Sequence, residues 1–525
     1  MREKSNWVFS PWLAAAYPVV ALLAVNLRML QPIEAFRSWV ILTLLTLVLW
    51  LLFGLITRSV VRGGLIAAWW TLLISLYGHI FNLIRDTKVL GFEIGHHSYT
   101  LTLWILLGLA SVWWIGFRLR DTRPLNTFAN VALTVALIFP AGNILWNVIR
   151  PGGTTSLSPA ANPPQVSLNI PQGETAPDVY YIILDMYTRE DVLKNVFQYD
   201  NSEFISQLED LGFYVAECSR SNYHSTELSI SSALNMDYYQ NLVGNEGSPN
   251  LAGWIRQSAV RKAFENAGYT SIALDSGFSP TVVSEADRFY TLDRSVWSAL
   301  TYEGANSFEG LMLHNTLGLL IFDLHIKLTP EQQLMLDSAY VKHRERMLYE
   351  LDTLPQLASQ PGPKFVFAHI LAPHEPFVFD ANGNFAPRDK PFTLNDDKEY
   401  TAETYRTGYA GQISYLNQRI LSIIKQILQN SDTPPVIIIQ GDHGSHRTGL
   451  KDGDTPILNA YYLPGNGKDK LYPTISPVNS FRLVLDSYLG ADLPLLPDKT
   501  YTYGGEPYEF TLTRGICPVE ATPQN

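Results

Sequence analysis

Five stretches of about 20 mostly apolar residues crowd the first 150 positions of this 525-residue chain, at 7–27, 39–56, 64–84, 99–117 and 129–149. A helix needs about 20 such residues to cross the ~30 Å of bilayer hydrocarbon. One such run is compatible with a buried helix, but five in succession, joined by short charged connections, describe a transmembrane bundle. The chain opens Met-Arg-Glu-Lys, as a signal peptide would. Four further spans and the lack of a small-residue cleavage site make the first stretch a retained helix. Trp69, Trp70, Trp113 and Trp114 are read as an interfacial belt near span ends.

Positive charge sets the expected orientation. Arg2, Lys4, Arg58, Arg62, Arg118, Arg120 and Arg123 fall on one side of the spans, against Arg28, Arg37, Arg85, Lys88 and Arg150 on the other. The positive-inside rule then puts the N-terminus in the cytoplasm, and an odd number of spans carries everything after Arg150 to the outer face. A net charge of -11 excludes the basic groove that nucleic acid requires. The spans hold few charged residues in their cores with which to build an ion path, which disfavours a transporter.

Residues 151–176, PGGTTSLSPAANPPQVSLNIPQGETA, lack any helical or strand period and read as a linker between a transmembrane domain at 1–150 and a catalytic domain at 177–525. Past the linker, short apolar runs alternate with amphipathic stretches, the pattern of an α/β domain with a mainly parallel sheet. Strands are expected at 179–184, 270–274, 364–369 and 436–440, and helices at 202–211, 258–267, 331–354 and 405–429. The tail from Thr502, with TYGGEPYEFTLTRG, reads as short strands or an appendage.

Two of these strands run directly into polar groups: VYYIIL into Asp185, and VIIIQ into Gly441, Asp442, His443 and Gly444. Ligands of open α/β sheets bind beyond the carboxyl ends of the strands, so the three side chains are expected to converge there as oxygen and nitrogen ligands of a divalent cation. Taken singly, each reads as a turn or cap residue. Thr226, in Ser221-Asn222-Tyr223-His224-Ser225-Thr226 ahead of LSISSALNM, is at a helix start. That makes it a candidate nucleophile, with an N-cap as its plain reading. The stretch FVFAHILAPHEPFVFD supplies His374, placed to bond a substrate oxygen or protonate a leaving alkoxide, and His369, read as a packed strand-end residue. His446 is either a second ligand or an exposed loop histidine.

These motifs, in this order across 177–489, resemble the sulfatase-like branch of the alkaline phosphatase superfamily. The apolar front makes the architecture similar to lipoteichoic acid synthases and phosphoethanolamine transferases. The resemblance implies an alkaline-phosphatase-like fold and a manganese or zinc ion held by Asp185, Thr226, Asp442 and His443. It further implies a covalently phosphorylated Thr226 and a substrate-binding role for His374. It also implies a membrane lipid or lipid-linked donor and an envelope glycan or lipid as acceptor. The chain departs from formylglycine sulfatases, because Cys218-Ser219-Arg220-Ser221-Asn222 lacks the Pro and Arg of their modification motif. Asp185 also stands without the neighbouring acid of many calcium sites. A sulfatase-like hydrolase or phosphodiesterase, and a non-catalytic envelope binding protein, remain the rival readings. Cys218 and Cys517, the only cysteines, are either two thiols or one long-range bridge.

Overall fold

All five apolar stretches are helical: α1 Ser10–Val25, α2 Ala35–Thr57, α3 Val60–Ile84, α4 His97–Trp113 and α5 Arg123–Ile149. The computed structural model describes residues 7–27, 30, 32–85, 87–89, 92–149, 158–169, 176–244, 249–292, 304–324, 326–329, 332, 337–386, 400–503, 508–513, 515 and 517–518. Four runs, Pro32–Thr57, Val60–Ile84, His97–Arg118 and Arg123–Trp146, are long and apolar enough to cross a membrane. The first expected span is shorter. At 16 residues, α1 extends about 24 Å at ~1.5 Å per residue. It packs against α2, α3 and α5 and buries Ala14, Ala15, Val19, Leu22 and Leu23.

Leu51, Leu55, Phe139 and Trp146 stand exposed on α2 and α5. Large apolar side chains exposed along such long apolar helices belong against hydrocarbon or a partner rather than water. The expected belt holds only in part. Trp113 and Trp114 close α4, but α3 begins at Val60, so Trp69 and Trp70 fall near its middle. There the Trp70 ring packs on Phe53, with centroids 5.6 Å apart.

These helices and the described residues of Arg294–Ala339 form one of two compact units. The helix Ser307–Asn315 is fastened to α2 by Arg37, which pairs with Glu309 at 2.6 Å although the two are 272 positions apart. Asn306 and Glu309 form a reciprocal capping box at its start. The Leu317 N–H donates to the Ile74 carbonyl of α3.

The second unit comprises Arg150–Asp293, Tyr340–Pro387 and Leu394–Asn525. Its sheet has seven strands: β1 Val179–Leu184, β2 Tyr214–Val215, β3 Thr270–Leu274, β4 Arg288–Tyr290, β5 Lys364–Ile370, β6 Val436–Gly441 and β7 Asn459–Tyr462. Their order is β2-β7-β6-β1-β5-β3-β4. The run β6-β1-β5-β3-β4 is parallel throughout, and β7 pairs antiparallel with β6 and with β2. The four strands expected from sequence are present with at most one residue added at an end. Both faces of β1, β5 and β6 are buried, which is why they read as unbroken apolar runs.

Four helices matter for the site: α6 Thr226–Asn235, α7 Ser338–Thr353, α8 Ala402–Asn430 and α9 Pro477–Leu489. On α9, Phe481 packs edge-on against Tyr181 of β1, with ring centroids 5.0 Å apart. Residues 158–169 form neither helix nor strand, as their composition predicts, yet lie against this unit. Ala161 N–H donates to the Leu242 carbonyl and Asn169 N–H to that of Leu489. The tail forms the antiparallel pair Thr500–Thr502 and Thr511–Thr513, and Cys517 is bridged to Cys218.

One ion pair fixes the start of the parallel sheet. Lys364, opening β5 and 1 % exposed, has its ammonium on Asp178, whose other carboxylate oxygen accepts the Lys364 N–H. Asp178→Ala therefore leaves a buried charge unpaired, which costs roughly 3–5 kcal/mol. A thermal melt should show that loss, and the apolar double substitution Asp178→Leu with Lys364→Met should recover most of it.

Candidate active site and metal centre

Parallel register brings the ends of β1, β5 and β6 level: Leu184 pairs with Ile370 on one side and Gly441 on the other. The residues at and just past those ends are Asp185, His369 and Asp442, all buried. One ligand atom from each lies within 4.8 Å of the others. The His443 imidazole closes the group, its Nε2 lying 3.8 Å from Asp185 Oδ1 and 3.6 Å from Asp442 Oδ2.

Local backbone geometry aims these groups. Met186 adopts a left-handed conformation with φ 62°, and its N–H donates to Asp442 Oδ1 at 3.0 Å. The His443 N–H donates to the same oxygen at 2.8 Å, so Oδ2 faces the group. A Cβ at position 441 would meet the Tyr187 carbonyl oxygen, and one at 444 that of Pro456, so both glycines are required by close backbone approach. His443 Nδ1 lies 2.9 Å from the Gly444 carbonyl, which can only accept. Nδ1 therefore carries the proton and Nε2 presents a lone pair to the acids.

Asp185 Oδ1, Asp442 Oδ2 and His369 Nε2 are buried and have no hydrogen-bond partner. Three buried acceptor positions facing one another without a donor are costly unless a cation completes them. Two carboxylates with imidazole nitrogens form the mixed donor set that a divalent cation such as Zn²⁺ or Mn²⁺ takes. His369 thus does more than pack a strand end. Thr281 donates to the Phe278 carbonyl and its oxygen lies 2.9 Å from His369 Nδ1, leaving Nε2 3.4 Å from Asp185 Oδ2. The sequence favours His374 for a functional role and leaves His369 as packing, because Thr281, which orients the His369 ring, lies 88 positions away.

Thr226 is the first residue of α6 rather than its cap, which is Ser225. Its Oγ1 lies 3.3 Å from His443 Nε2. The Ser229 hydroxyl, one turn on, donates to the Asp442 carbonyl at 2.5 Å and ties α6 to the end of β6. The backbone N–H of His374 donates to the Asp185 carbonyl at 3.1 Å, and its Nδ1 faces the Glu375 carbonyl. Burial alone would lower the His374 pKa, but the charges of Glu375 and Asp185 outweigh it and raise the pKa to about 9. His374 is a cationic donor at neutral pH. Burial opposes ionisation of Asp185, yet the charge of His374 holds its carboxyl well below the usual range.

His446 lies outside the acid group. Its ring stacks on His443 at 4.8 Å, and its Nδ1 is 3.3 Å from Asp454. Three further residues border the site without a sequence signal. His224 Nδ1 is buried without a partner, and its ring packs on Tyr503. On α7, burial with the charges of Arg346 and His374 pushes His343 down to about 3. The Arg346 guanidinium lies over Gly277, in the loop that follows β3. A His and an Arg three apart on a charged helix look like any solvated face.

The family model described as Sulfatase matches residues 177–474. No curated protein sequence matches the chain. Among solved structures it is similar to the C-terminal periplasmic domain of EcEptC from Escherichia coli in complex with Zn, at 13 % identity and TM-score 0.44, over 67 % of this chain and 96 % of that one. It is similar to the integral membrane lipooligosaccharide phosphoethanolamine transferase A from Neisseria meningitidis, at 14 % identity and TM-score 0.41, over 91 % and 95 %. A third likeness is to the phosphonate monoester hydrolase of Agrobacterium radiobacter, at 16 % identity and TM-score 0.36, over 62 % and 75 %.

Because Thr281 orients His369 from behind, Thr281→Val should weaken binding of Mn²⁺ or Zn²⁺ roughly 10–100-fold. Calorimetric titration of the chelator-stripped chain reads this directly; unchanged affinity would remove His369 from the metal set.

Proposed function

The chain belongs to the Sulfatase family, whose model it matches over more than half its length, and from that premise we propose a metal-dependent phosphoryl-group transferase that works through a phospho-threonine at Thr226. The group transferred is of phosphoglycerol or phosphoethanolamine type, and the acceptor is an envelope lipid or glycan. The observation that carries this reading is the approach of Thr226 Oγ1 to His443 Nε2 beside two buried carboxylates. A divalent ion held by Asp185, His369, Asp442 and His443, with Thr226 beside it, would acidify the hydroxyl and offset charge on the transferred group.

The remaining steps are assigned to side chains. Thr226 Oγ1 attacks phosphorus in line, its proton passes to solvent, and the bond from phosphorus to the departing lipid oxygen breaks. The His374 imidazolium protonates that oxygen. An acceptor hydroxyl then gives its proton to His374 and takes the phosphoryl group, the bond from phosphorus to Thr226 Oγ1 breaks, and Oγ1 takes a proton back from solvent. Cys218, which the formylglycine route would need free, is bonded to Cys517, and this speaks against sulfate-ester chemistry by that route.

The setting is a multi-pass protein of the cell membrane with its catalytic unit on the extracytoplasmic face. The four long apolar helices support the anchorage, and the disulfide supports an oxidising compartment.

Thr226→Val should lower transfer from a fluorescent phospholipid by a factor of roughly 10³ or more while metal stays bound. Transfer unchanged in that variant would end the covalent reading, and free phosphorylated headgroup without acceptor modification would make the enzyme a phosphodiesterase. Transfer should also fall as pH rises through the His374 pKa of about 9, where the imidazolium is lost. His374→Asn should remove that limb and lower the rate roughly 10²–10⁴-fold.

A further inference from the structure

Within the helical unit a cavity of about 790 Å³ lies between α2, α3 and the segment that includes Ser307–Asn315. That volume falls in the ~300–1,000 Å³ range of small-molecule sites. Leu42, Ile74, Met312, Leu313 and Ile321 give it an apolar lining. We propose that it holds one fatty-acyl chain of a membrane phospholipid. The proposal rests on the lipid-linked donor of the preceding reading, which it deepens by giving the lipid tail a seat.

Two observations support that occupant. Ile41 and Leu45, one turn apart on α2, also line the cavity yet stand 61 % and 38 % exposed. Its mouth therefore opens on the outer face of a helix long and apolar enough to cross a membrane, where acyl chains are the solvent.

The walls, finally, are held apart by specific bonds rather than by loose packing. Arg37 grips Glu309 and the Gly304 carbonyl, and Asn306 Nδ2 donates to the Glu34 carbonyl. A Cβ at Gly78 would strike the backbone of His314 and Asn315, so α3 and the inserted segment meet there in backbone contact. The guanidinium is already engaged by Glu309 and Gly304, so the assignment concerns the tail and not the headgroup.

The test uses the full chain in bilayer nanodiscs containing a phosphatidylethanolamine whose acyl chain carries a diazirine. After illumination, crosslinked peptides are mapped in the unaltered chain, in Ser75→Leu and Leu42→Trp, which fill the cavity, and in Ile41→Trp, which blocks its mouth. Labelling should concentrate on 35–57 and 304–324 and fall at least fivefold in all three variants. Labelling spread evenly over every lipid-facing helix, or unmoved by any variant with an unchanged gel-filtration profile, would overturn the proposal. Crosslinking needs no turnover. A chain that labels as expected but transfers no phosphoryl group would sink the functional reading and leave this site standing, and the converse result would do the reverse.

Discussion

Two buried carboxylates, Asp185 and Asp442, are held next to one another with one oxygen each left without a donor. Like charges in a low-dielectric setting repel strongly, and desolvation adds to the cost. The surrounding structure restrains that repulsion through two N–H groups on Asp442 Oδ1 and the cationic His374 near Asp185. The parallel register supplies the positions, because β1 between β5 and β6 ends level with both. A chain arranged in this way is poised for a cation, and through it for chemistry on an anionic ester.

Sites and anchors are built on different physics here. The helical unit leaves large apolar side chains outward and is tied internally by specific bonds, among them Arg37–Glu309 and the Leu317 to Ile74 bond. The other unit hides its apolar groups between a parallel sheet and flanking helices and sets Asp185 Oδ1, His369 Nε2 and Asp442 Oδ2, all without a hydrogen-bond partner, at the strand ends.

Much of this was legible in the sequence for identifiable reasons. Strands buried on both faces announce themselves as apolar runs, which is why β1 and β3 fall where the sequence puts them. Asp185, Asp442 and His443 were legible because they follow such runs directly. Less was legible wherever the meaning depended on a distant partner. His369 reads as packing until Thr281 and Asp185 are placed around it. The short antiparallel β2 and β7 carry too few residues to show a period. The inserted helix is bonded to α2 across 272 positions, a distance that no local pattern encodes. Trp70 was misread for a simpler reason, since α3 starts four residues earlier than its apolar character suggests.

In the proposed reaction the Thr226 hydroxyl of α6, and no other side chain, carries the transferred group. The most direct measurement is peptide mapping by mass spectrometry of the manganese-loaded full chain, acid-quenched after mixing with phospholipid vesicles in the absence of acceptor. The account predicts a phosphoryl-ester adduct on Thr226 that disappears when acceptor is added. Turnover of the lipid with Thr226 unmodified at every quench time, and the adduct on another residue or on none, would contradict it.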